Sequence, residues 1–229
     1  MNALAMDFQM VRRLVLKDWY FQRKPIFGYL AAGVLALALI ADPNEGAFFA
    51  GSILMITVLL AVGIHLAMAS VVEERKDQTL AFVMSLPISV KEYTTAKILS
   101  NLLIFLVPWL TLLIGSFVVI AVKPGLPDGL IPFTAIILLE LFASSVLILS
   151  VALVSESQNW TIGAIVFGNL FFQGFLYTVS HLPSIAQTMK GSRIVWSPAA
   201  LTLLVGEVAA IALMVGSTFW LQSRKTDFL

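Results

Sequence analysis

Two carboxylic acids, Glu140 and Glu207, each stand inside a long apolar stretch of this sequence. A charged side chain in the middle of a bilayer costs roughly 2.5–3.5 kcal/mol on insertion scales, so such residues usually face the interior of a helix bundle. Three roles agree with the pattern: lining a polar substrate path, exchanging a proton, or joining helices through a protonated or hydrogen-bonded carboxyl group. The residue types alone leave all three open.

The sequence lacks the patterns that mark nucleotide-binding and metal-dependent hydrolytic sites. It has no G-x-x-x-x-G-K-[ST] pattern, so the chain cannot supply a P-loop ATPase, and it has no H-E-x-x-H pattern. The histidines, His65 and His181, are too few and too far apart in sequence to propose a metal site, and His65 is expected to hydrogen-bond between helices. We therefore expect no catalytic residue, metal or cofactor in this chain. A membrane enzyme or an assembly factor is the weakest functional class.

A third set of polar residues lies within another apolar stretch. Asn169, Gln173 and Tyr177 stand at i, i+4 and i+8, so they share one face of a helix. This face serves either helix packing or the lining of a central pathway at a dimer interface. Together with Glu140 and Glu207, these residues are the candidate lining of a substrate path. Neighbouring aromatic residues are expected to face lipid or the core: Phe171, Phe172 and Phe175.

The composition requires a membrane environment for these residues. The chain has 229 residues, of which 59% are hydrophobic and 12% charged, whereas a soluble domain carries about 25% charged residues. The net charge of +1 gives no reason to expect a nucleic-acid partner. The absence of cysteine excludes disulfides and thiolate metal sites. This length accommodates about six spanning helices with short loops.

The order of apolar and polar segments predicts an all-α integral membrane protein with one domain over residues 1–229. Residues 1–24 predict an interfacial amphipathic helix that ends at Arg23, Lys24 and Pro25, and residues 222–229 form a tail. The apolar face of that helix is predicted to hold Phe8, Val11, Leu14, Val15, Trp19 and, near it, Phe21. The six-span bundle occupies 26–221, with spans at 26–41, 48–72, 98–122, 130–154, 160–179 and 199–221.

The basic residues predict the orientation of the bundle. Eleven of the 14 lysines and arginines lie in the two termini and in residues 73–97, and three lie in the other loops. Cytosolic segments carry the excess of basic residues. Both termini and residues 73–97 are therefore expected to be cytosolic, in a multi-pass protein of the cell (inner) membrane.

Residues 73–97 form the longest polar interruption between apolar stretches. We predict a short surface helix over residues 77–86, because Pro87 disfavours the helical conformation of the residue before it. Ser89 and Glu92 fit a capping box that begins the next helix, which continues into the third span with a kink at Pro108. The short helix has one apolar face, formed by Leu80, Val83 and Met84 with Leu86 close to it. Its polar residues are available to a cytosolic partner: Asp77, Gln78 and Thr79.

This segment, together with the layout of the whole chain, resembles the permease subunits of ABC-2 type ABC transporters. The residues that match the short motif are Glu73, Glu74, Thr79, Leu80, Leu86, Pro87, Ser89, Glu92 and Lys97. The resemblance implies that the segment is a coupling helix that docks on a separate ATPase, and that residues 177–196 form short re-entrant helices. The alternative is an ordinary amphipathic cytosolic loop. The candidate coupling residues are Glu73, Glu74, Asp77, Gln78, Thr79, Leu80, Val83, Met84, Leu86 and Pro87.

The resemblance also implies an assembly and a function. Two permease subunits, identical or related, would pair in membrane lipid above two copies of a cytosolic ABC ATPase, which binds the ATP and Mg²⁺. The complex would export an amphiphilic substrate. The size is similar to haem-exporter permeases of cytochrome c maturation, and lipid, drug, peptide and ion-related substrates remain open. The alternative function is a stand-alone ion-coupled transporter that uses Glu140 or Glu207.

Overall fold

The computed structural model describes residues 8–76 and 89–224 of the chain. Within these residues the structure is helical: α1 Phe8–Ala41, α2 Glu45–Ala67, a π-helical segment Met68–Val72, α3 Glu73–Lys76, α4 Val90–Val122, α5 Leu130–Ser155, α6 Gln158–His181, α7 Pro183–Met189 and α8 Pro198–Gln222. Among the described residues, six helices are long and apolar enough to cross a membrane. The prediction of an all-α bundle with six spans is confirmed.

The N-terminal region differs from its prediction. The expected break at Arg23, Lys24 and Pro25 is absent, because α1 continues through Pro25 as one helix of 34 residues. Proline lacks only its own N–H and so removes one hydrogen bond of the helix. Packing of α1 against α2 and α4 along the helix compensates for this loss. The interfacial helix and the first span are therefore one element.

The packed face of α1 also differs from the predicted one. Phe8 and Phe21 are 74% and 67% exposed, and Trp19 is 38% exposed. The polar residues Asp18 and Gln22 are buried in their place, in line with Val11, Leu14 and Ile26. Hydrophobicity did not identify this face because polar groups on the neighbouring helices bind Asp18 and Gln22.

The helix ends follow the local sequence. The side chain of Asn44 accepts hydrogen bonds from the first turn of α2, and the predicted capping box of Ser89 and Glu92 is present at the start of α4. Helix α4 then continues through Pro108 to Val122, so the third span does extend the helix begun at Ser89. Short polar side chains satisfy N–H groups that a helix leaves without intrahelical partners.

Helix α5 lies at the centre of the bundle. In its most apolar window 72% of the residues are buried, whereas the other five spans reach between 11% and 33%. It packs against α2, α4, α6 and α8. The main core brings together residues of five helices, among them Ile26, Leu59, Phe105, Leu138 and Phe172. Most side chains of α5 therefore lie inside the protein rather than in lipid.

Three loops meet at one end of the bundle. Lys123 donates hydrogen bonds from Nζ to the carbonyl oxygens of Ile40 and Asp42, at 2.8 and 2.6 Å. The N–H of Gly129 donates to the carbonyl of Gly191 at 3.0 Å. The short helix α7 lies in the same region, within the segment that the resemblance expected to form short helices. This end carries the loops that the sequence predicts to face outward.

We predict that Gly51→Ala destabilises the contact between α1 and α2. A Cβ at this position would lie 2.6 Å from the carbonyl oxygen of Ala36, so the two helices must separate, at a cost of about 1–3 kcal/mol in the free energy of unfolding. Gly28→Ala is the matched control, because no atom of a neighbouring helix lies within 4 Å of its Cβ position. Thermal unfolding of the purified protein in detergent measures both variants. Equal melting temperatures would contradict the close approach.

Candidate functional site

A cluster of four charged side chains lies where α1, α3 and α4 meet. Lys97 is 1% exposed, and its Nζ lies 3.0 Å from Asp18 Oδ2 and 2.8 Å from Glu74 Oε2. Lys17 Nζ lies 2.7 Å from Glu74 Oε1 and 3.4 Å from Asp18 Oδ1. Two acids and two bases thus alternate in space with no net charge. We call these four residues the ionic cluster.

Hydroxyl groups extend the ionic cluster. The Ser100 hydroxyl donates to Asp18 Oδ2 at 2.8 Å, and the Tyr93 hydroxyl donates to Glu74 Oε2 at 3.4 Å. Buried ions are tolerated when good geometry and further hydrogen bonds offset the loss of hydration. The ionic cluster meets both conditions and so fixes the relative positions of three helices.

The π-helical segment determines how Glu74 reaches the ionic cluster. The N–H of Glu73 donates to the carbonyl of Met68, five residues earlier. Such a turn is wider than an α-helical turn, so the residues after it are rotated relative to α2. Ser70 supports the segment, because its hydroxyl bonds to the carbonyl of Leu66 at 2.6 Å and receives the Asn101 amide at 2.9 Å. π-Helical turns often occur at functional sites.

The ionic cluster lies at both ends of the predicted coupling segment. Glu74 lies just before residues 77–88, and Tyr93 and Lys97 lie in the first turns after it. Of the candidate coupling residues, Glu73 is exposed and Glu74 belongs to the ionic cluster. The other candidates lie outside the described residues: Asp77, Gln78, Thr79, Leu80, Val83, Met84, Leu86 and Pro87.

Sequence reasoning missed the role of Lys17 and Asp18. One signal was present, since Asp18 is the only acidic residue between positions 8 and 41 and stands in a basic stretch. His65 lies near the same stripe of α1, with its Nε2 2.9 Å from Oε1 of Gln22. This geometry matches the expected interhelical hydrogen bond of His65.

Glu140 and Glu207 line one cavity, although they lie on different helices. The cavity has a volume of about 370 Å³ and is open between α5, α6 and α8. Each glutamate is 6% exposed. Glu140 follows the start of α5 by ten residues and Glu207 that of α8 by nine, which places each about 15 Å along its helix. We call this space the carboxyl cavity.

Aromatic rings form one wall of the carboxyl cavity. Phe167, Phe171 and Phe175 stand four residues apart on α6, and successive ring centroids are 6.2 Å apart. On the other walls, both carboxylate oxygens of Glu207 and the hydroxyl of Ser144 are buried without a hydrogen-bond partner among the described residues. The lining contains no lysine, arginine or histidine in the part of the chain that the structure describes.

The remaining candidate path residues lie elsewhere on α6. Gln173 and Tyr177 are exposed, and the Asn169 amide donates to the carbonyl of Ile165 at 2.9 Å. They follow the three cavity phenylalanines by two positions, which is about 200° around a helix. The two sets therefore face opposite ways.

The phenylalanines of α6 are correspondingly divided between two environments. Phe172 has no exposed surface and lies in the core, which is one of the two environments expected for it. Phe171 is 51% exposed on the outside of the bundle and Phe175 packs against the core, which agrees with the expectation of lipid or core, and both also line the carboxyl cavity. Lipid and protein core are both apolar, so the sequence pattern could not show which of these rings lies beside the two glutamates.

These features define a multi-pass helical membrane protein with a charged junction at one end and a carboxyl-lined cavity further inside. The family model described as ABC-2 family transporter protein matches residues 13–222, and the chain belongs to this family. It is an ABC-2 type permease, a membrane component that associates with an ATPase partner. No curated protein and no solved structure matches the chain significantly.

We predict that Lys97→Met destabilises the protein by about 3–5 kcal/mol, because it removes the enclosed one of the two cations that Asp18 and Glu74 share. A double variant with both Lys97→Met and Asp18→Asn is expected to recover part of the lost stability. Lys17→Met is the control and costs less, since the Lys17 side chain is 32% exposed. Thermal unfolding in detergent measures all three. A Lys97→Met variant no less stable than Lys17→Met would contradict the role of the ionic cluster.

Proposed function

We propose that this chain is the membrane-spanning subunit of an ABC-2 exporter that moves an amphiphilic substrate outward, driven by ATP hydrolysis in a separate ATPase. Membership of the family supports the class of transporter. The observation that carries the coupling proposal is the ionic cluster, which holds α3 and the start of α4 against α1; these two elements flank residues 77–88 in the sequence.

The ionic cluster provides a mechanical link in this proposal. A force applied to residues 77–88 by a docked ATPase acts on α3 and on the start of α4. The buried ion pairs resist separation, so α1 moves with them. Helix α4 in turn packs against α5 and α8, which carry Glu140 and Glu207. Closure of the ATPase subunits would thus change the shape of the carboxyl cavity.

The orientation and assembly belong to the same proposal. Basic residues concentrate at the termini and around residues 73–97, which favours cytosolic termini in a cell (inner) membrane. The exposed face of α6 with Gln173 and Tyr177 suits contact with a second permease subunit, identical or related. Two ATPase copies carry the ATP and Mg²⁺.

Thr79→Asp or Leu80→Asp is expected to uncouple ATP hydrolysis from transport. In this proposal both residues belong to the coupling helix, so a charge at either position would weaken binding of the ATPase by about tenfold or more. The measurements are the affinity for the ATPase and ATP-dependent transport in proteoliposomes. Ser184→Asp is the matched control, because it adds the same charge at an exposed position of α7, in the loop predicted to face outward. Unchanged affinity and transport in both test variants would contradict the coupling proposal.

A second candidate function is a stand-alone carrier coupled to an ion gradient. The observation that favours it is the location of Glu140 and Glu207 in one cavity, since intramembrane carboxyl groups often serve as ion or proton sites.

This second candidate predicts transport into proteoliposomes driven by a pH gradient, with no ATPase present. Glu140→Gln would then reduce uptake about tenfold or more, because it removes a site for the coupling ion. Glu45→Gln is the control, because Glu45 is exposed in the first turn of α2. Uptake that requires the ATPase and ATP would exclude this candidate.

A further inference from the structure

The carboxyl cavity has an uncompensated acidic character. Glu207 is 6% exposed, and its two oxygens are buried without a hydrogen-bond partner among the described residues. Glu140 lines the same space, and no basic side chain is found in its described lining. A buried polar group without a partner is costly, and an ionised one more so. A positively charged group in the cavity would supply the missing partner.

The rest of the lining favours an apolar body attached to that charge. Most of the surface comes from aliphatic and aromatic side chains, among them Leu147, Leu203 and Met214. Phe167, Phe171 and Phe175 present a row of rings with interplanar angles of 22° and 25° between neighbours. Ring faces attract organic cations as well as apolar groups.

The volume agrees with a small organic molecule. At about 370 Å³, the cavity falls within the range of about 300–1,000 Å³ that small-molecule sites occupy. Its lining residues come from α5, α6 and α8. An apolar body, a single positive centre and this size are the properties of a lipophilic cation.

We propose that the carboxyl cavity is a binding site for lipophilic organic cations, in which Glu207 and Glu140 hold the positive centre and the phenylalanines of α6 contact the apolar body. This inference rests on the proposed export function and names the class of substrate. It assigns the exported amphiphile a positive charge, which neither the family nor the span pattern specifies.

The test uses two ions of nearly the same shape and opposite charge. Tetraphenylphosphonium is the cationic probe and tetraphenylborate is the anionic control, and equilibrium binding to the purified full-length permease in detergent is measured without ATP. We expect saturable binding of the cation and weaker binding of the anion. Equal binding of the two ions would overturn the proposal, since it would show an apolar site indifferent to charge.

Variants separate the carboxyl groups from the rest of the cavity. Glu207→Gln keeps the shape of the side chain and is expected to weaken tetraphenylphosphonium binding about 30-fold. Glu207→Asp keeps the charge and is expected to retain most of the affinity. Glu45→Gln, at an exposed position outside the cavity, should bind as the unaltered protein does.

Folding is checked by the thermal unfolding and gel filtration of each variant. If Glu207→Gln does not fold, Phe171→Leu serves as the second variant, because it removes a ring from the cavity wall and keeps both carboxyl groups. It is expected to weaken cation binding more than anion binding. Unchanged cation affinity in whichever variant folds would overturn the proposal.

The positive centre has two sources, a soluble cation or the headgroup of a membrane lipid. Binding of tetraphenylphosphonium in nanodiscs of phosphatidylglycerol alone, and with phosphatidylethanolamine added, separates them. Competition by phosphatidylethanolamine assigns the cavity to a lipid with a cationic amine. If tetraphenylphosphonium binds equally in both membranes, and Glu207→Gln still binds it more weakly than the unaltered protein, the cavity is assigned to a soluble cation.

Failure of the cation-binding proposal can be distinguished from failure of the export proposal. Charge-selective binding in detergent needs neither the ATPase nor a gradient. A cavity indifferent to charge in a protein whose transport still depends on ATP would refute only the cation site. Charge-selective binding in a protein whose transport does not depend on the ATPase would refute only the ATP-driven mechanism.

Discussion

The ammonium group of Lys97 is enclosed by protein and lies between the carboxylates of Asp18 and Glu74. Removing one of these three ions would leave a buried partner without compensation. The ions are therefore held in a fixed geometry. This constraint joins the start of α4 to α1 and to the end of the second span. Three further features support these ion pairs: the π-helical turn, the hydroxyl of Ser100 and the charge of Lys17.

The two polar sites of the bundle differ in their charge balance. The ionic cluster contains as many bases as acids, and its hydrogen bonds are satisfied within the protein. The carboxyl cavity contains two acids, and Glu207 has no partner among the described residues. A balanced cluster stabilises a structure, whereas an unbalanced one can bind something from outside. This difference is why we propose that the first site transmits force and that the second binds a ligand.

Helix α5 gives the cavity its rigid wall. It is buried along most of its length and touches four other spans, including α4. Helices α6 and α8, which complete the cavity, are mostly exposed in the isolated chain. A contiguous packed route therefore leads from the ionic cluster through α4 to α5 and α8. Movement of α8 against a fixed α5 would change the cavity and leave the main core intact, because that core is built from α1, α2, α4, α5 and α6.

The sequence by itself determined the six spans, the capping box at Ser89 and the sets of residues that share a helix face, because these depend on hydrophobicity and on contacts within a few residues. The candidate coupling residues beyond Glu74 lie outside the described part, so their role stays a prediction. Only the tertiary structure decided that α1 passes through Pro25, that Asp18 meets Lys97, and that Glu140 and Glu207 share a cavity with the phenylalanines of α6. Helix periodicity shows which residues lie side by side, but not which face meets a neighbour, and lipid and protein core are equally apolar.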